Sequence, residues 1–312
     1  MTPLSFTILA PAGFATDPLA IDRAIACLES FGHRVRCDAG ARGRFQRFSA
    51  SDDERLAAIA RVAADPQADV ALVLRGGYGF TRLLDRLDFA ALAGAGKRFL
   101  GHSDFTAFAL AALAKSGMVT FSGPMASYDF GAQQPSAFTL AQCFGVLSND
   151  AWEVETALDG PDAQALSGTL WGGNLAMVAH LAGTPFMPDV TGGILFLEDV
   201  AEHPYRIERM LYQLLHAGIL ARQRALLLGA FTEYQLNAND AGYDLAAAIA
   251  HVRDRLAIPV YTGLPFGHVP DKLTLPVGGD CMLRVRDGRA TLRFTHYAAA
   301  PRKTRTRAKA RA

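Results

Sequence analysis

Cysteine is scarce in this sequence, with four residues among 312, at positions 27, 37, 143 and 281, and no C-x-x-C pair. This spacing argues against a disulfide framework and a zinc finger, and it predicts reduced, buried thiols. The chain also lacks an H-E-x-x-H motif and has no pair of histidines four residues apart. We therefore expect no metal centre and no cofactor.

Excess charge and long apolar runs are also missing. The formal net charge is +1, which predicts no general attraction to nucleic acid or to membranes. No segment approaches the ~20 apolar residues of a membrane helix. The first residues lack a basic signal-peptide region and predict a strand, so we expect a cytoplasmic protein. Residues 301–312 carry six cations and predict a solvated, disordered tail rather than a nucleic-acid-binding arm.

The chain does contain a regular alternation of short apolar strands and helical segments. The segment 69–74, DVALVL, is apolar after its first residue, which is typical of a strand covered on both faces. Such alternation predicts an α/β fold whose N-terminal domain has a mostly parallel sheet flanked by helices. The alternation is lost over residues 128–165. We therefore predict an N-terminal domain at 1–155 and a smaller C-terminal α/β domain at 165–300.

The segment Lys97–Ser116 predicts a strand, a tight turn and a helix, with Ser103 at the turn. A serine there lies at a helix N-terminus, whose free N–H groups can stabilise a developing oxyanion. The turn could therefore supply a nucleophile and part of an oxyanion hole. The alternative is that Ser103 or Asp104 only caps the helix. The G-x-S-x-G elbow is incomplete, because Phe105 occupies the position of its last glycine.

A second glycine-rich turn, Arg75-Gly76-Gly77-Tyr78-Gly79, follows the predicted strand at 69–74. Three glycines in four positions allow the backbone to approach a ligand closely. The alternative is a tight strand-to-helix turn that binds nothing. The spacing fits neither the G-x-G-x-x-G dinucleotide motif nor the phosphate-binding loop that ends in Lys-Ser/Thr. The turn therefore carries no nucleotide-binding signature.

A serine nucleophile needs a histidine as base and a carboxylate that orients it. Of the eight histidines, His203 and His268 are the candidates. His268 lies in a Gly/Pro-rich loop after a predicted strand, where sheet folds keep their active sites. His102 directly precedes the serine, and we expect its side chain to diverge from Ser103. The alternative for any single loop histidine is a plain surface position.

Glu198 is the candidate for the orienting carboxylate, because it stands at the end of the apolar segment GGILFL. A carboxylate in that position is either functional or paired structurally, here with a nearby arginine such as Arg206 or Arg209. Asp199 and Glu202 are the competing carboxylates. The residues alone leave these alternatives open.

Six short motifs, in order along the chain, resemble those of the LD-carboxypeptidases, the murein tetrapeptide carboxypeptidase family of serine peptidases. The matches extend from Ala10-Pro11-Ala12 to Pro276-Val277-Gly278 and cover nearly the whole chain except the basic tail. One departure is His102, where family members often carry Tyr. The motifs are Arg75–Gly79, Gly101–Thr106, Gly123–Met125, Leu170–Leu175, Leu197–Asp199 and Gly263–His268.

The resemblance implies a catalytic triad of Ser103, Glu198 and His268, with the backbone N–H groups of Gly77 and Asp104 as oxyanion donors. It places the serine on the first domain, the other two residues on the second, and the active site between the domains. The implied reaction releases the terminal D-Ala from murein tetrapeptide through an acyl-enzyme, in cytoplasmic peptidoglycan recycling. The implied assembly is a homodimer, with a muropeptide as substrate and neither nucleic acid nor membrane as partner.

The same motifs supply the candidate substrate-binding residues, which are Arg75, Tyr78, Trp171 and Asn174. For the terminal carboxylate of the substrate, the candidates are Arg75 and Lys272. These assignments depend on the resemblance and stay expectations at this point.

Two other functions remain open. The self-immunity branch of the same family hydrolyses aminoacyl-nucleotides of the microcin C type. Such enzymes are expected to carry an extra loop with an aromatic residue for the nucleotide, and this compact chain offers little room for one. A muropeptide-binding protein that has lost catalysis is the third hypothesis, and the joint presence of Ser103, Glu198 and His268 argues against it.

Overall fold

A computed structural model of the protein describes residues 2–297, and none of the helices in that range is long and apolar enough to span a membrane. The first half alternates strands and helices. The strand Val70–Val73 is buried throughout, and the helix before it begins with a capping box formed by Ser51 and Glu54. The elements are β1 (Ser5–Leu9), α1 (Ala20–Ser30), β2 (Arg34–Cys37), α2 (Asp52–Ala64), β3 (Val70–Val73), α3 (Phe89–Gly94), β4 (Arg98–Gly101), α4 (Phe105–Ser116), β5 (Thr120–Ser122), a π-helical turn (Ala126–Phe130) and α5 (Ala137–Ser148).

The second half adds an antiparallel hairpin to further parallel strands. The hairpin turns at Asp287 and Gly288, both with positive φ, as the Asp-Gly pair predicts. Pro204 begins a helix, where its missing N–H leaves no hydrogen bond unmade. The elements are β6 (Trp152–Ala157), β7 (Ala163–Asn174), α6 (Leu175–Leu181), β8 (Ile194–Val200), α7 (Pro204–His216), β9 (Ala225–Thr232), α8 (Leu245–Arg255), β10 (Val260–Thr262), β11 (Leu275–Val277), β12 (Asp280–Arg286) and β13 (Arg289–Thr295).

The strands form two sheets. The first has the order β11-β5-β4-β3-β1-β2 and is parallel apart from the pairing of β11 with β5. The second has the order β10-β9-β8-β7-β12-β13-β6, in which β10, β9, β8 and β7 are parallel and the remaining pairs antiparallel. The predicted α/β class, with a mostly parallel N-terminal sheet and a second α/β unit, is confirmed.

Strands β6 and β11 mark where the chain passes between the two sheets. Strand β6 begins at Trp152 and belongs to the second sheet, whereas β11 returns from the second half to the edge of the first. Pro276 of β11 suits this edge position. Proline has no backbone N–H, and among the described residues no further strand lies beyond β11 to need one. The domain limits 1–155 and 165–300 stay a prediction, and the predicted tail at 301–312 lies outside the described residues.

The two halves meet where helix α4 packs against α6 and the end of β7. The backbone N–H of Asn174 donates to Thr106 Oγ1 at 3.0 Å. A Cβ atom at Gly173 would lie 2.3 Å from the same oxygen, so only glycine permits this approach. The helix that follows Ser103 is thereby held directly against the second sheet.

Candidate active site

Ser103 lies on a strained turn between β4 and α4. Its φ is +64°, a left-handed conformation that is uncommon for residues other than glycine. Its side chain is partly exposed, whereas His102 and Asp104 on either side are buried. Asp104 occupies the N-cap position of α4 but makes no side-chain capping bond. The alternative in which this turn simply caps the helix therefore does not describe the structure.

The carboxylate of Asp104 joins the two glycine-rich turns instead of capping its own helix. It accepts a hydrogen bond from the N–H of Phe80 at 2.9 Å and another from the N–H of Gly79. The carboxylate is almost wholly buried, and this burial raises its pKa above the usual value. Asp104 thus fixes the turn at residues 75–79 beside the serine turn.

Gly76 is the point of closest approach between these turns. A Cβ atom at this position would lie 2.6 Å from Ser103 Cβ and 2.9 Å from its Oγ. The sequence left open whether these glycines approach a ligand or only form a tight turn, and at Gly76 the close neighbour is the serine itself. No backbone carbonyl among residues 2–297 accepts the N–H of Gly77 or of Asp104. Both groups are thus available to an oxyanion, and that role stays a prediction.

Glu198 lies in strand β8 and is completely buried. The register between β8 and β9 shifts between Leu197 and Asp199, and such an irregularity re-aims the side chain that it carries. The carboxylate accepts a hydrogen bond from His268 Nδ1 at 2.8 Å, while the His268 side chain is 20% exposed. A carboxylate at this distance holds the neutral ring with its proton on Nδ1, which leaves Nε2 as a base.

Asn174 connects this pair to the rest of the molecule. Its Nδ2 group donates to Glu198 Oε1 at 3.3 Å and to Asp199 Oδ1 at 2.7 Å. Its Oδ1 atom caps helix α6 by accepting from the N–H of Met177. Asn174 is nearly fully buried, and its amide positions the two carboxylates. Its role in substrate binding stays a prediction.

The other candidates of the sequence analysis lie elsewhere. His203 pairs with Asp240 through Nε2 at 3.2 Å, and Glu202 pairs with Arg206 at 3.6 Å. Trp171 is wholly buried in strand β7, where its indole N–H donates to a glutamine side chain at 3.0 Å. Trp171 therefore packs in the core, and its role in substrate binding stays a prediction.

Arg75 and Tyr78 lie on the exposed side of the glycine-rich turn. Arg75 is half-buried, donates to the carbonyl of Phe14 at 3.3 Å and stacks its guanidinium 5.4 Å from the ring centre of Tyr128. Tyr78 is 38% exposed and packs against Phe48. Both side chains adjoin Gly77, so they are accessible to a ligand at the turn. Their role in substrate binding stays a prediction.

His102, which was not a candidate from the sequence, lies beside both Glu198 and His268. Its Nε2 lies 3.8 Å from Glu198 Oε2, and its ring centre lies 4.6 Å from that of His268. Burial lowers the pKa of His102 well below 6.5, and the positive charge of Lys272 lowers it further. A neutral imidazole therefore lies beside Glu198 and His268, directly after the end of β4.

Asp199 carries a raised pKa that predicts a pH-dependent stability. Burial is the main cause, and the pKa is about 6 against an ordinary value of 3.8. Between pH 4 and 6 the folded protein then binds more protons than the unfolded chain. The contribution of Asp199 to the free energy of unfolding is therefore fully present below about pH 4 and is lost as the pH rises through 6. The free energy of unfolding falls by about 3 kcal/mol as a result.

Urea denaturation of the wild type and of Asp199→Asn between pH 4 and 7 measures this effect. We expect the wild type to lose about 3 kcal/mol more than the variant over that range, because Asn cannot titrate. The variant is expected to be less stable at every pH. The N–H of Ala176 donates to the carboxylate in the wild type, and in the variant this N–H would face the NH₂ group of the amide, which is also a donor. Equal pH slopes for the two proteins would contradict the prediction.

Lys272 forms a buried ion pair and is not free to bind a substrate carboxylate. Its Nζ lies 2.7 Å from Asp129 Oδ1, and both side chains are about 95% buried. Thr139 adds to this junction, because its hydroxyl donates to the carbonyl of Pro270 and accepts from the N–H of Lys272. The loop that carries His268 is thereby fixed to the first half of the chain.

Replacing Lys272 with Met is expected to lower the free energy of unfolding by about 3–5 kcal/mol, because Asp129 is left buried without a counter-ion. Urea denaturation measures the loss. The double variant Lys272→Met/Asp129→Leu should recover most of it. Arg286→Met is the control, because that arginine is 91% exposed and pairs only at the surface. A single variant as stable as this control would refute the interpretation.

The structure contains a serine on a strained turn and a histidine held by a buried carboxylate, and the ring of that histidine lies 4.6 Å from the ring of His102, the residue before the serine. These are the parts that acyl transfer requires. Two family models match this chain, the LD-carboxypeptidase N-terminal domain over residues 7–123 and the LD-carboxypeptidase C-terminal domain over residues 167–283. The murein tetrapeptide carboxypeptidase of Pseudomonas aeruginosa is 31% identical over 287 residues, which cover 88% of this chain and 92% of that protein. The chain belongs to the LD-carboxypeptidase family.

Solved structures give the same family. The crystal structure of muramoyltetrapeptide carboxypeptidase from Oxalobacter formigenes has a TM-score of 0.89 and 49% identity, and the match covers 94% of this chain and 99% of that one. The microcin C7 self-immunity protein MccF has a TM-score of 0.85 at 20% identity, with 96% and 98% covered. The second likeness concerns the fold alone. Family membership makes the protein a hydrolase of the carboxypeptidase type.

Proposed function

We propose that this protein is a serine carboxypeptidase that releases the terminal D-Ala from murein tetrapeptide. The observation that carries the proposal is the 2.8 Å contact between His268 Nδ1 and the buried carboxylate of Glu198. It supports a ring whose Nε2 is free to act as a base. The names of the relatives from Pseudomonas aeruginosa and Oxalobacter formigenes support the substrate.

In the proposed mechanism, His268 takes the proton of Ser103 Oγ as this oxygen attacks the peptide carbonyl. Glu198 fixes the tautomer of the ring and stabilises its charged form. The N–H groups of Gly77 and Asp104 bind the oxyanion, and each such donor contributes about 3–4 kcal/mol in comparable sites. His268 then protonates the departing amine of D-Ala, and water hydrolyses the acyl-enzyme.

The bond proposed for cleavage joins the L-centre of diaminopimelate to the terminal D-Ala. Arg75 and Tyr78 are proposed to contact the substrate, because both lie partly exposed beside Gly77. The proposed setting is peptidoglycan recycling in the cytoplasm, with the protein acting as a homodimer. A muropeptide substrate is consistent with the net charge of +1, which offers no general attraction to polyanions.

Mass spectrometry with L-Ala-γ-D-Glu-meso-diaminopimelate-D-Ala tests this proposal. We expect the wild type to remove one D-Ala and Ser103→Ala to lose this activity by about 10⁶-fold, as loss of a serine nucleophile does elsewhere. Ser116→Ala, at the far end of the same helix, is the matched control and should keep full activity. Cleavage by both wild type and Ser103→Ala would remove the serine from the mechanism.

Hydrolysis of aminoacyl-nucleotides is the second candidate, and the shared fold with MccF is the observation that favours it. The same assay with an aminoacyl sulfamoyl nucleoside separates the two substrates. Turnover of that compound by wild type but not by Ser103→Ala, without loss of D-Ala from the tetrapeptide, would replace the proposed substrate. Binding of tetrapeptide without turnover of either compound would instead favour a non-catalytic binding protein.

A further inference from the structure

The three side chains His102, Glu198 and His268 form a compact group of metal-ligand type. One ligand atom from each lies within 4.8 Å of the others. Glu198 Oε2 is 2.8 Å from His268 Nδ1 and 3.8 Å from His102 Nε2. Two histidine nitrogens and one carboxylate oxygen are a common set of protein ligands for zinc, with a fourth position left to water.

The second observation is that His102 Nε2 is buried and has no hydrogen-bond partner among the described residues. The His102 side chain is only 1% exposed, and its Nε2 is turned toward the carboxylate of Glu198. Phe266 packs at 5.1 Å against the ring, and this edge contact offers no polar atom. An unpartnered buried nitrogen beside a carboxylate is a costly arrangement that a bound cation would relieve.

Two of the three separations between the ligand atoms are close to those around a small tetrahedral ion, and the third is at most 4.8 Å. Ligand atoms about 2.0–2.1 Å from a tetrahedral zinc ion lie about 3.4 Å from one another. The observed separations of 2.8 Å and 3.8 Å lie on either side of that value. Imidazole and carboxylate together favour zinc over the hard cations calcium and magnesium, which take oxygen ligands.

We infer that His102, Glu198 and His268 form an inhibitory binding site for Zn²⁺ at the base of the proposed triad. Zinc binds the lone pair of His268 Nδ1, and the ring proton moves to Nε2, so no proton leaves the site. In that tautomer Nε2 has no lone pair with which to accept the proton of Ser103. The inhibitory part of this inference depends on the proposed function, whereas the binding part does not.

His102 decides whether the site exists, because Glu198 and His268 alone give only two ligands. His102→Phe removes the nitrogen and keeps an aromatic ring against Phe266. His296→Gln is the matched control, since His296 also pairs with a carboxylate, Asp280, at 2.8 Å but is 82% exposed. Glu198→Gln removes the central ligand and provides a second variant if His102→Phe does not fold.

Isothermal titration of the full-length protein with ZnCl₂ tests the binding. We expect His102→Phe and Glu198→Gln to bind one zinc ion fewer than the wild type, or to bind it at least 10- to 100-fold more weakly, as even outer-shell changes do. His296→Gln should retain the ion. Titration with Co²⁺ should give the visible absorption of a tetrahedral complex in the wild type and not in His102→Phe. Equal zinc stoichiometry and affinity in the wild type and both ligand variants would overturn the inference.

Assays with added zinc test the inhibition separately. Zinc should stop release of D-Ala by the wild type, and the same concentration should leave the residual activity of His102→Phe unchanged. Ser103→Ala should still bind zinc, because the serine is not a ligand. Zinc binding together with no hydrolysis of any substrate by the wild type would reject the proposed function and leave the metal site standing. Zinc inhibition of equal strength in the wild type and His102→Phe would overturn the inhibitory role.

Discussion

Replacing Glu198 with Gln is expected to lower kcat by about 10⁴-fold while the fold is retained. The amide has nearly the shape of the carboxylate but can present its NH₂ group to His268 Nδ1, which the carboxylate contacts at 2.8 Å. The ring then keeps its proton on Nε2 and cannot act as a base. Loss of the orienting carboxylate in a comparable triad has an effect of this size, equivalent to about 5.5 kcal/mol of activation free energy.

The opposite orientation of the amide in Glu198→Gln also loses a hydrogen bond of the wild type. Its NH₂ group would then face Asn174 Nδ2, which donates to Glu198 Oε1 at 3.3 Å in the wild type. Two donors would meet in a buried space, which is costly. Either orientation therefore disturbs the hydrogen bonds that hold the ring of His268 in its reactive tautomer.

Steady-state kinetics on the tetrapeptide measure this effect, with Glu202→Gln as the matched control. Glu202 lies four residues away and pairs with Arg206 on the surface, so its variant should behave as wild type. Circular dichroism of Glu198→Gln should match that of the wild type. Near-normal turnover by a folded Glu198→Gln protein would remove Glu198 from the triad and leave its buried neighbour Asp199 as the competing carboxylate.

Gly76→Ala is expected to reduce kcat by at least about 100-fold, because the new methyl group would lie 2.6 Å from Ser103 Cβ. Carbon atoms do not approach so closely, so either the serine or the glycine-rich turn must shift. Displacement of a reacting group by about 1 Å can cost this much. Asp104 opposes any separation of the turns, since its carboxylate holds the N–H of Phe80 at 2.9 Å.

The matched control for this prediction is Gly94→Ala, at the end of helix α3. A Cβ atom there meets nothing within 4 Å, so the change tests glycine replacement without a clash. We expect that variant to keep full activity and equal or higher stability. If Gly76→Ala has wild-type kcat, the close packing of the two turns does not position Ser103, and the glycine serves another purpose.

Most elements of the fold could be predicted from local pattern. The apolar segment DVALVL, the capping box at Ser51 and the Asp-Gly hairpin each correspond to an observed element, because each depends on neighbours in sequence. The region 128–165 could not be predicted in this way. Helix α5 and strand β6 lie within it, and its prolines, glycines and aspartates obscured the pattern of both.

Strand β11 was missed for a related reason. It has only three residues, Leu275–Val277, and includes a proline, which locally argues against a strand. Its partner β5 lies more than 150 residues earlier in the chain, counted from Val277 back to Thr120. Pairing over such a distance leaves no trace in local periodicity, because it depends on how the two halves pack.

The sequence by itself determined the α/β class, the serine turn, and Glu198 and His268 as candidates, since strand ends and loops that carry polar residues can be found by inspection. Only the tertiary structure decided that Glu198 and His268 form a pair and which side chains surround that pair. It placed Trp171 in the core, turned the Asn174 side chain to the carboxylates, and set His102 beside Glu198. These outcomes depend on side-chain direction and on contacts between distant strands, and a sequence pattern specifies neither.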